Sequence, residues 1–236
     1  MVFRAPAPQP LFENRFDAGK QLAEKLTAYK NEPAIVLAIP NGGLPVGLQV
    51  ALALGVDLDV VIARKIPIPL RPEGGFGAVA DDGTTIFNND IIKSVGLTQS
   101  QINYQVAKVR NDIQQRSLAF RGPNRSLSVV TGKTALIVDD GLASGYTMMA
   151  AVESVRRRRP ARIVVAVPVA SEMAVRTVEK VADRVITVHT ALVPKFYVSY
   201  YYRFWHEMKD DDGLKCVREW EIRRYKPNLK SINKPL

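Results

Sequence analysis

The run Ala135-Leu-Ile-Val138 is wholly apolar and ends in two adjacent carboxylates, Asp139 and Asp140. After Gly141-Leu142 comes the small-residue loop Ala143-Ser-Gly-Tyr-Thr147. A short apolar run bounded by polar residues predicts a buried strand. The pattern from Tyr146 to Arg158, closed by Pro160, predicts a helix directly after the loop. This strand–loop–helix unit restricts the fold to the α/β class. In open α/β sheets, ligands collect beyond the carboxyl ends of the strands. A loop that enters a helix turns free N–H groups outward, and the helix dipole favours an anion there. Gly145 lets the backbone approach a phosphate, and Ser144 and Thr147 add hydroxyl donors. Two carboxylates would repel a phosphate but suit neutral hydroxyls. A sugar with adjacent hydroxyls next to its own phosphate satisfies both halves.

The rest of the chain reads as alternating strands and helices. Asp17–Lys30 has helical spacing, Ala34–Ile39 is a buried strand, and Leu44–Leu54 is a helix that is apolar nearly all round. Asp59–Ala63 is the next strand, and the proline- and glycine-rich Arg64–Gly75 is a loop. Gly77–Ala80 and Thr84–Phe87 flank Asp81-Asp82-Gly83, which is a hairpin signal. Thr98–Ala119 is one long helix. Strands at Arg162–Val167 and Arg184–Val188 enclose a helix at Glu172–Val181, and Leu214–Arg224 forms a short terminal helix. Such alternation predicts a mostly parallel, twisted, Rossmann-like sheet with helices on both faces. Pro6, Pro8 and Pro10 mark an extended lead, and Lys226–Leu236 is a basic tail.

At 236 residues the chain suits one sizeable domain. Its apolar runs are far shorter than a membrane span, and no signal peptide is readable, so no membrane role is expected. One cysteine and two histidines exclude a disulfide framework and a multi-cysteine zinc site, and a reducing, cytoplasmic setting fits best. The formal charge of +10 suits a polyanionic partner, whether nucleic acid, an anionic surface or a phosphorylated small molecule.

The segment Ala135–Thr147 resembles the motif with which type I phosphoribosyltransferases bind 5-phosphoribosyl pyrophosphate (PRPP), and all thirteen positions fit. The resemblance extends from about Asp17 to Trp220. It is greatest to a group of bacterial and archaeal proteins without an assigned acceptor, which share Gly77-Ala-Val-Ala-Asp-Asp-Gly83 and Val167-Pro-Val169. It implies a single domain over 1–236, with a core at about 17–190, a lid at about 64–88, and a hood and tail at about 191–236. Asp139 and Asp140 would hold the ribose, and Ala143, Ser144, Gly145, Tyr146 and Thr147 the 5-phosphate. Pro40, Asn41, Gly42 and Gly43 stand where the family has its pyrophosphate loop, in which a cis peptide has precedent. The related sequences usually carry Arg at the position of Asn41, and Asn brings no charge. Read alone, the loop is equally a simple turn. Arg64 and Lys65 would approach the pyrophosphate from a strand end, and Arg71 and Glu73 are the charged lid residues; all four also fit ordinary exposed charges.

The reaction implied displaces pyrophosphate from PRPP by a nitrogen nucleophile, which makes the chain a pentosyltransferase. Mg²⁺ would be held mainly through substrate, with Asp139 or Asp140 reaching it through water. Family members that handle 6-oxopurines usually carry an acid at position 143, and Ala143 supplies no such base. The aromatic stretch Phe196–Trp205 is the candidate for stacking an acceptor base, with a hydrophobic cluster or a dimer contact as its plainer reading. A homodimer is expected, and Thr98–Ala119 is long enough to contribute to it. Two other functions compete. One is a non-catalytic PRPP sensor that binds RNA or DNA through the basic tail. The other is an interaction module that kept the fold without turnover. Against the first, the Arg156–Arg159 run falls at a helix C-terminus, where the dipole favours cations.

Overall fold

The computed structural model describes residues 9–122 and 128–225. The extended lead at 1–8 and the basic tail at 226–236 lie outside the described residues. Five parallel strands form the main sheet: β1 (Ala34–Ala38), β2 (Asp57–Val60), β6 (Thr134–Val138), β7 (Arg162–Ser171) and β8 (Arg184–Ala191), in the spatial order β2-β1-β6-β7-β8. An antiparallel sheet of β3 (Ala63–Ile68), β4 (Arg71–Ala80) and β5 (Thr85–Phe87) stands beside it. From β1 the chain goes outward to β2, and from β6 it goes the other way to β7 and β8. The gap between β1 and β6 is therefore the topological switch point, where open sheets bind ligands.

Alternation along the strands divides the core into two. Val36, Ala38, Leu136, Val138, Val164 and Ala166 face one side, packed by α1 (Arg15–Lys25), α2 (Gly43–Leu54), α4 (Gln99–Arg121) and α7 (Asp210–Tyr225). Ile35, Leu37, Ala135, Ile137, Ile163 and Val165 face the other, covered by α5 (Tyr146–Arg156), α6 (Glu172–Val178) and the antiparallel strands. Strands buried on both faces read as unbroken apolar runs, which is why β1 and β6 are legible from sequence. The expected parallel sheet with helices on both faces is the observed one.

Several elements differ from expectation. The chain turns at Asn14, whose side chain caps Phe16 and Asp17 N–H, so α1 starts before Asp17 and ends at Lys25, with a 3₁₀ turn at Thr27–Tyr29. Arg64–Gly75 is no open loop. It is a hairpin whose register shifts on both sides of Pro67, the place where an edge strand tolerates proline. A further helix, α3 (Asn89–Val95), has no counterpart in the sequence reading: it is capped by Asn88 and buries none of its residues, so it carries no strong apolar period. Strand β7 runs four residues beyond Val167, through Pro168. Helix α7 begins at Asp210, where three aspartates complement the dipole in the first turn.

Helices α1 and α2 cross at Gly19. A Cβ there would lie 2.8 Å from the Val46 carbonyl oxygen and 2.9 Å from Gln49 Cβ. Helix propensity favours alanine over glycine by about 1 kcal/mol, but overpacking a tight contact costs about 1–3 kcal/mol. Gly19→Ala should therefore lower the thermal midpoint by a few degrees. A midpoint above wild type would show that the crossing is loose.

Candidate active site

Strand β6 delivers Asp139 and Asp140 to the switch point, and the chain then forms a phosphate-sized loop. Gly145, at the N-cap of α5, has φ +83°, a left-handed conformation that favours glycine. No side chain caps this helix, so its first-turn N–H groups have no capping partner from the protein. The loop is clamped from behind. The Leu142 N–H donates to the Val169 carbonyl and the Leu142 carbonyl accepts from the Ser171 N–H, both on the extended end of β7, and Ser171 Oγ donates to the Ala143 carbonyl at 2.8 Å. Ala143 and Ser144 are exposed, and Tyr146 and Thr147 are half-buried. The loop thus presents hydroxyls and amides on a rigid base.

The two carboxylates differ in their partners. Asp139 Oδ1 accepts from the Asp140 backbone N–H at 2.8 Å. Asp140 Oδ2 accepts from Arg15 Nε at 2.7 Å, and the Asp140 carbonyl accepts from the Tyr202 hydroxyl at 2.6 Å. Arg15 is 6 % exposed. Its guanidinium lies 3.7 Å from the Trp205 ring centre and donates to the His206 carbonyl at 3.0 Å. Burial, and then the neighbouring Asp140 charge, holds the Asp139 carboxyl well above its ordinary range. Burial also raises Asp140, and Arg15 opposes that shift.

The loop Pro40–Gly43 faces the same carboxylates. Its Pro40–Asn41 peptide is cis. Both glycines are needed for apposition: a Cβ on Gly42 would overlap the Asp140 carboxylate, and one on Gly43 would lie 2.6 Å from the Val138 carbonyl oxygen. The Gly43 N–H donates to the Ile39 carbonyl, so that amide is already occupied. Asn41 turns away from the acids. Its Nδ2 donates to the Met208 carbonyl and to Asp210 Oδ1, each at 3.0 Å.

Arg64 and Lys65 lie on β3 and do not end the second strand, because β2 stops at Val60 and the chain starts the antiparallel hairpin at Ala63. Lys65 Nζ donates to the Glu73 carbonyl at 2.7 Å. With Lys108 and Asp112, the two cations line a cavity of about 280 Å³ between the hairpin and α4. Arg71 and Glu73 are exposed. The structure therefore brings loops 40–43 and 139–147 together and leaves the four lid charges on the hairpin. Among the aromatics, Phe196, Tyr201 and Tyr202 pack with Phe12 into a small core, while Tyr197, Tyr200 and Phe204 are exposed. Backbone pairing of Leu11–Glu13 with Tyr201–Phe204 joins the two ends of the chain into one hood. A cavity of about 320 Å³ lies between the phosphate loop and that hood, lined by Ala143, Ser144, Glu172, Met173, Leu192 and Phe196. Sequence reasoning misses Arg15, and it places Tyr202 only within an aromatic stretch, with no sign of its bond to the Asp140 backbone. Their partners lie far away along the chain, and no local pattern marks them.

The family model described as "Phosphoribosyl transferase domain" matches residues 79–205. The crystal structure of TT1426 from Thermus thermophilus is 34% identical, with a TM-score of 0.71 over 89% of this chain and 98% of that one. Two Mycobacterium tuberculosis proteins are each 35% identical over 86% of this chain: "Putative phosphoribosyl transferase Rv0571c", from strain H37Rv, and the MT0597 protein of the same description, from strain CDC 1551. The chain spans 45% of those curated relatives. Fold and site define a type I phosphoribosyltransferase fold built around a strand–acid-pair–phosphate-loop unit. The chain belongs to the phosphoribosyl transferase domain family, as a member of unassigned acceptor.

The raised Asp139 carboxyl has a consequence for stability. Between its ordinary value and the raised one, the folded state holds a proton that the unfolded state has lost, so stability falls as pH climbs through that window. Asp139→Asn keeps the acceptor for the Asp140 N–H and removes the charge. Without ligand, its thermal midpoint should exceed wild type at pH 7, and the gap should close towards pH 4. A gap that widens on acidification would contradict the buried-charge assignment.

Proposed function

We propose that the protein binds PRPP together with Mg²⁺ and transfers the phosphoribosyl group to a nitrogen acceptor, releasing pyrophosphate. The observation that carries this reading is the uncapped N-terminus of α5, opened by left-handed Gly145 directly after the Asp139–Asp140 pair. An anion fits the first feature and a diol the second. In this reading Ala143, Ser144, Gly145, Tyr146 and Thr147 hold the 5-phosphate, Asp139 and Asp140 hold the ribose hydroxyls, and Pro40–Gly43 faces the diphosphate. The acceptor enters the cavity between the phosphate loop and the hood, against Phe196. Ala143 leaves the site without a base at that position, which disfavours 6-oxopurines.

The donor set fits Mg²⁺, which takes oxygen ligands and keeps several waters. No group of three or more His, Cys, Asp or Glu side chains that could hold a metal is present among the described residues. The oxygens would then come from the diphosphate and ribose, with Asp139 or Asp140 acting through water. Bound Mg²⁺ supplies charge neutralisation to a departing diphosphate. The protein's own part is positioning: the phosphate loop fixes one end of the donor and the acids fix the ring, so that the anomeric carbon meets the acceptor in a defined geometry. The hairpin bearing Arg64, Lys65, Arg71 and Glu73 acts as the lid that excludes water from the reactive sugar. A single domain, a homodimer and a cytoplasmic setting complete the proposal. Among the described residues, no helix is long and apolar enough to cross a membrane.

The test is direct. With PRPP, Mg²⁺ and a panel of nucleobases, pyrophosphate should be released for at least one acceptor. Saturating PRPP at about 100 times its dissociation constant should stabilise the protein by about 2.7 kcal/mol. Asp139→Ala combined with Asp140→Ala should abolish that shift. If the double variant retains the shift, the ribose assignment is wrong. Binding without release for any acceptor would favour a PRPP-sensing module.

A further inference from the structure

The pyrophosphate loop has no cation of its own, because position 41 is asparagine. The structure places one beside it. Asp210 Oδ1 lies 3.0 Å from Asn41 Nδ2 and also 3.0 Å from a terminal guanidinium nitrogen of Arg116, on α4. One carboxylate oxygen is thus shared by an amide donor of the pyrophosphate loop and by an arginine that the loop otherwise lacks. Arg64, on the lid hairpin, is near enough that its charge, second to burial, holds the Arg116 guanidinium below its ordinary value. One arginine and one amide thus meet on a single carboxylate, with a second arginine charge nearby. Side-chain exposures are 19% for Arg116 and 39% for Asp210. At such exposure an ion pair contributes little net stability, so the contact is a weak clasp and can be exchanged for another anion. The strap that brings Asp210 in, residues 205–209, has neither helix nor strand. It is held by Asn41 at the Met208 carbonyl and by Arg15 at the His206 carbonyl.

We propose that Arg116 is a diphosphate-binding residue, and that the Asp210 carboxylate occupies the place of a diphosphate oxygen between Arg116 and Asn41 until substrate displaces it. This rests on the reading that the site binds PRPP. An arginine delivered from α4 supplies the charge that the loop lacks at position 41, and a carboxylate mimics a phosphate oxygen on both donors. Binding of the diphosphate is then an anion exchange, in which the Asp210 side chain, at the start of α7, gives up Arg116 and Asn41 to the incoming oxygen.

Three ligands separate the outcomes: inorganic pyrophosphate, PRPP and ribose 5-phosphate, each titrated with Mg²⁺ by calorimetry. Asp210→Asn keeps an acceptor for Asn41 but releases Arg116. It should tighten pyrophosphate and PRPP by about threefold to tenfold and leave ribose 5-phosphate unchanged. Arg116→Gln should weaken pyrophosphate and PRPP by about tenfold and erase the gain from Asp210→Asn in the double variant. Arg116→Lys keeps the charge and should retain most of the affinity, which guards against a folding defect in the glutamine variant. A purely structural clasp predicts a lower thermal midpoint for Asp210→Asn and no change in pyrophosphate affinity; that result overturns the proposal. If ribose 5-phosphate and PRPP bind but no variant changes their ratio, only this proposal fails. If neither binds, the PRPP reading fails and takes this one with it.

Discussion

The Asp140 carboxylate is pressed against the backbone of Gly42, and the same oxygen, Oδ2, accepts from Arg15. Both loops of the site depend on this contact. The switch point brings the ends of β1 and β6 side by side, but topology alone does not fix loops to within an ångström. A carboxylate with no room for a Cβ opposite it does. Gly42 is helical in its backbone angles, so its glycine is required by crowding and not by a left-handed turn. Gly145 is the reverse case, needed for its positive φ. Two glycines in one site thus answer two different constraints.

This contact also explains why the acid pair is costly. Removing carboxylates from water raises their proton affinity, and two in sequence raise it further. Arg15 relieves Asp140, but Asp139 has only a backbone N–H on the oxygen that accepts. Such a site gains by taking a ligand that offers hydroxyl donors. The net charge of +10 contributes little to that account. Part of the arginine run at the end of α5 is engaged in structure: Arg156 donates to the Val181 carbonyl at 2.6 Å, Arg158 contacts the Ser128 carbonyl, and Arg157 faces Asp82. Those cations tie down the helix end and the segment before β6, which weakens the case for a nucleic-acid surface there.

The parallel core and the phosphate loop are legible in the sequence because each is local. Buried strands read as apolar runs, and the anion loop is a contiguous string whose every position has a physical task. The lid is only half legible. Its prolines read as loop, yet Ile66 and Ile68 face the core side of a hairpin that tolerates Pro67 at a register shift. Arg15 and Arg116 leave no local trace: each sits in an ordinary amphipathic helix and gains meaning only from a partner more than ninety positions away. Pattern places the loops of the site well, but it does not reach ion pairs across the fold.

Those distant partners have one property in common. The tethers from Arg15 and Asn41 to residues 206 and 208 end on the strap that precedes α7, the Asn41 amide also reaches Asp210 at the start of that helix, and the Tyr202 hydroxyl ends on the Asp140 backbone. The N-terminal residues 11–13 pair with 201–204 to carry that strap. The start of the described chain is therefore tied to the segment that leads into α7. The PRPP proposal assigns the donor to the loop after β6 and to the acid pair. Position 143 is alanine, whose methyl group supplies no base for an acceptor. Phe196 and Leu192 of the C-terminal segment and Met173 of α6 border the cavity beside that loop, and the proposal places acceptor choice there.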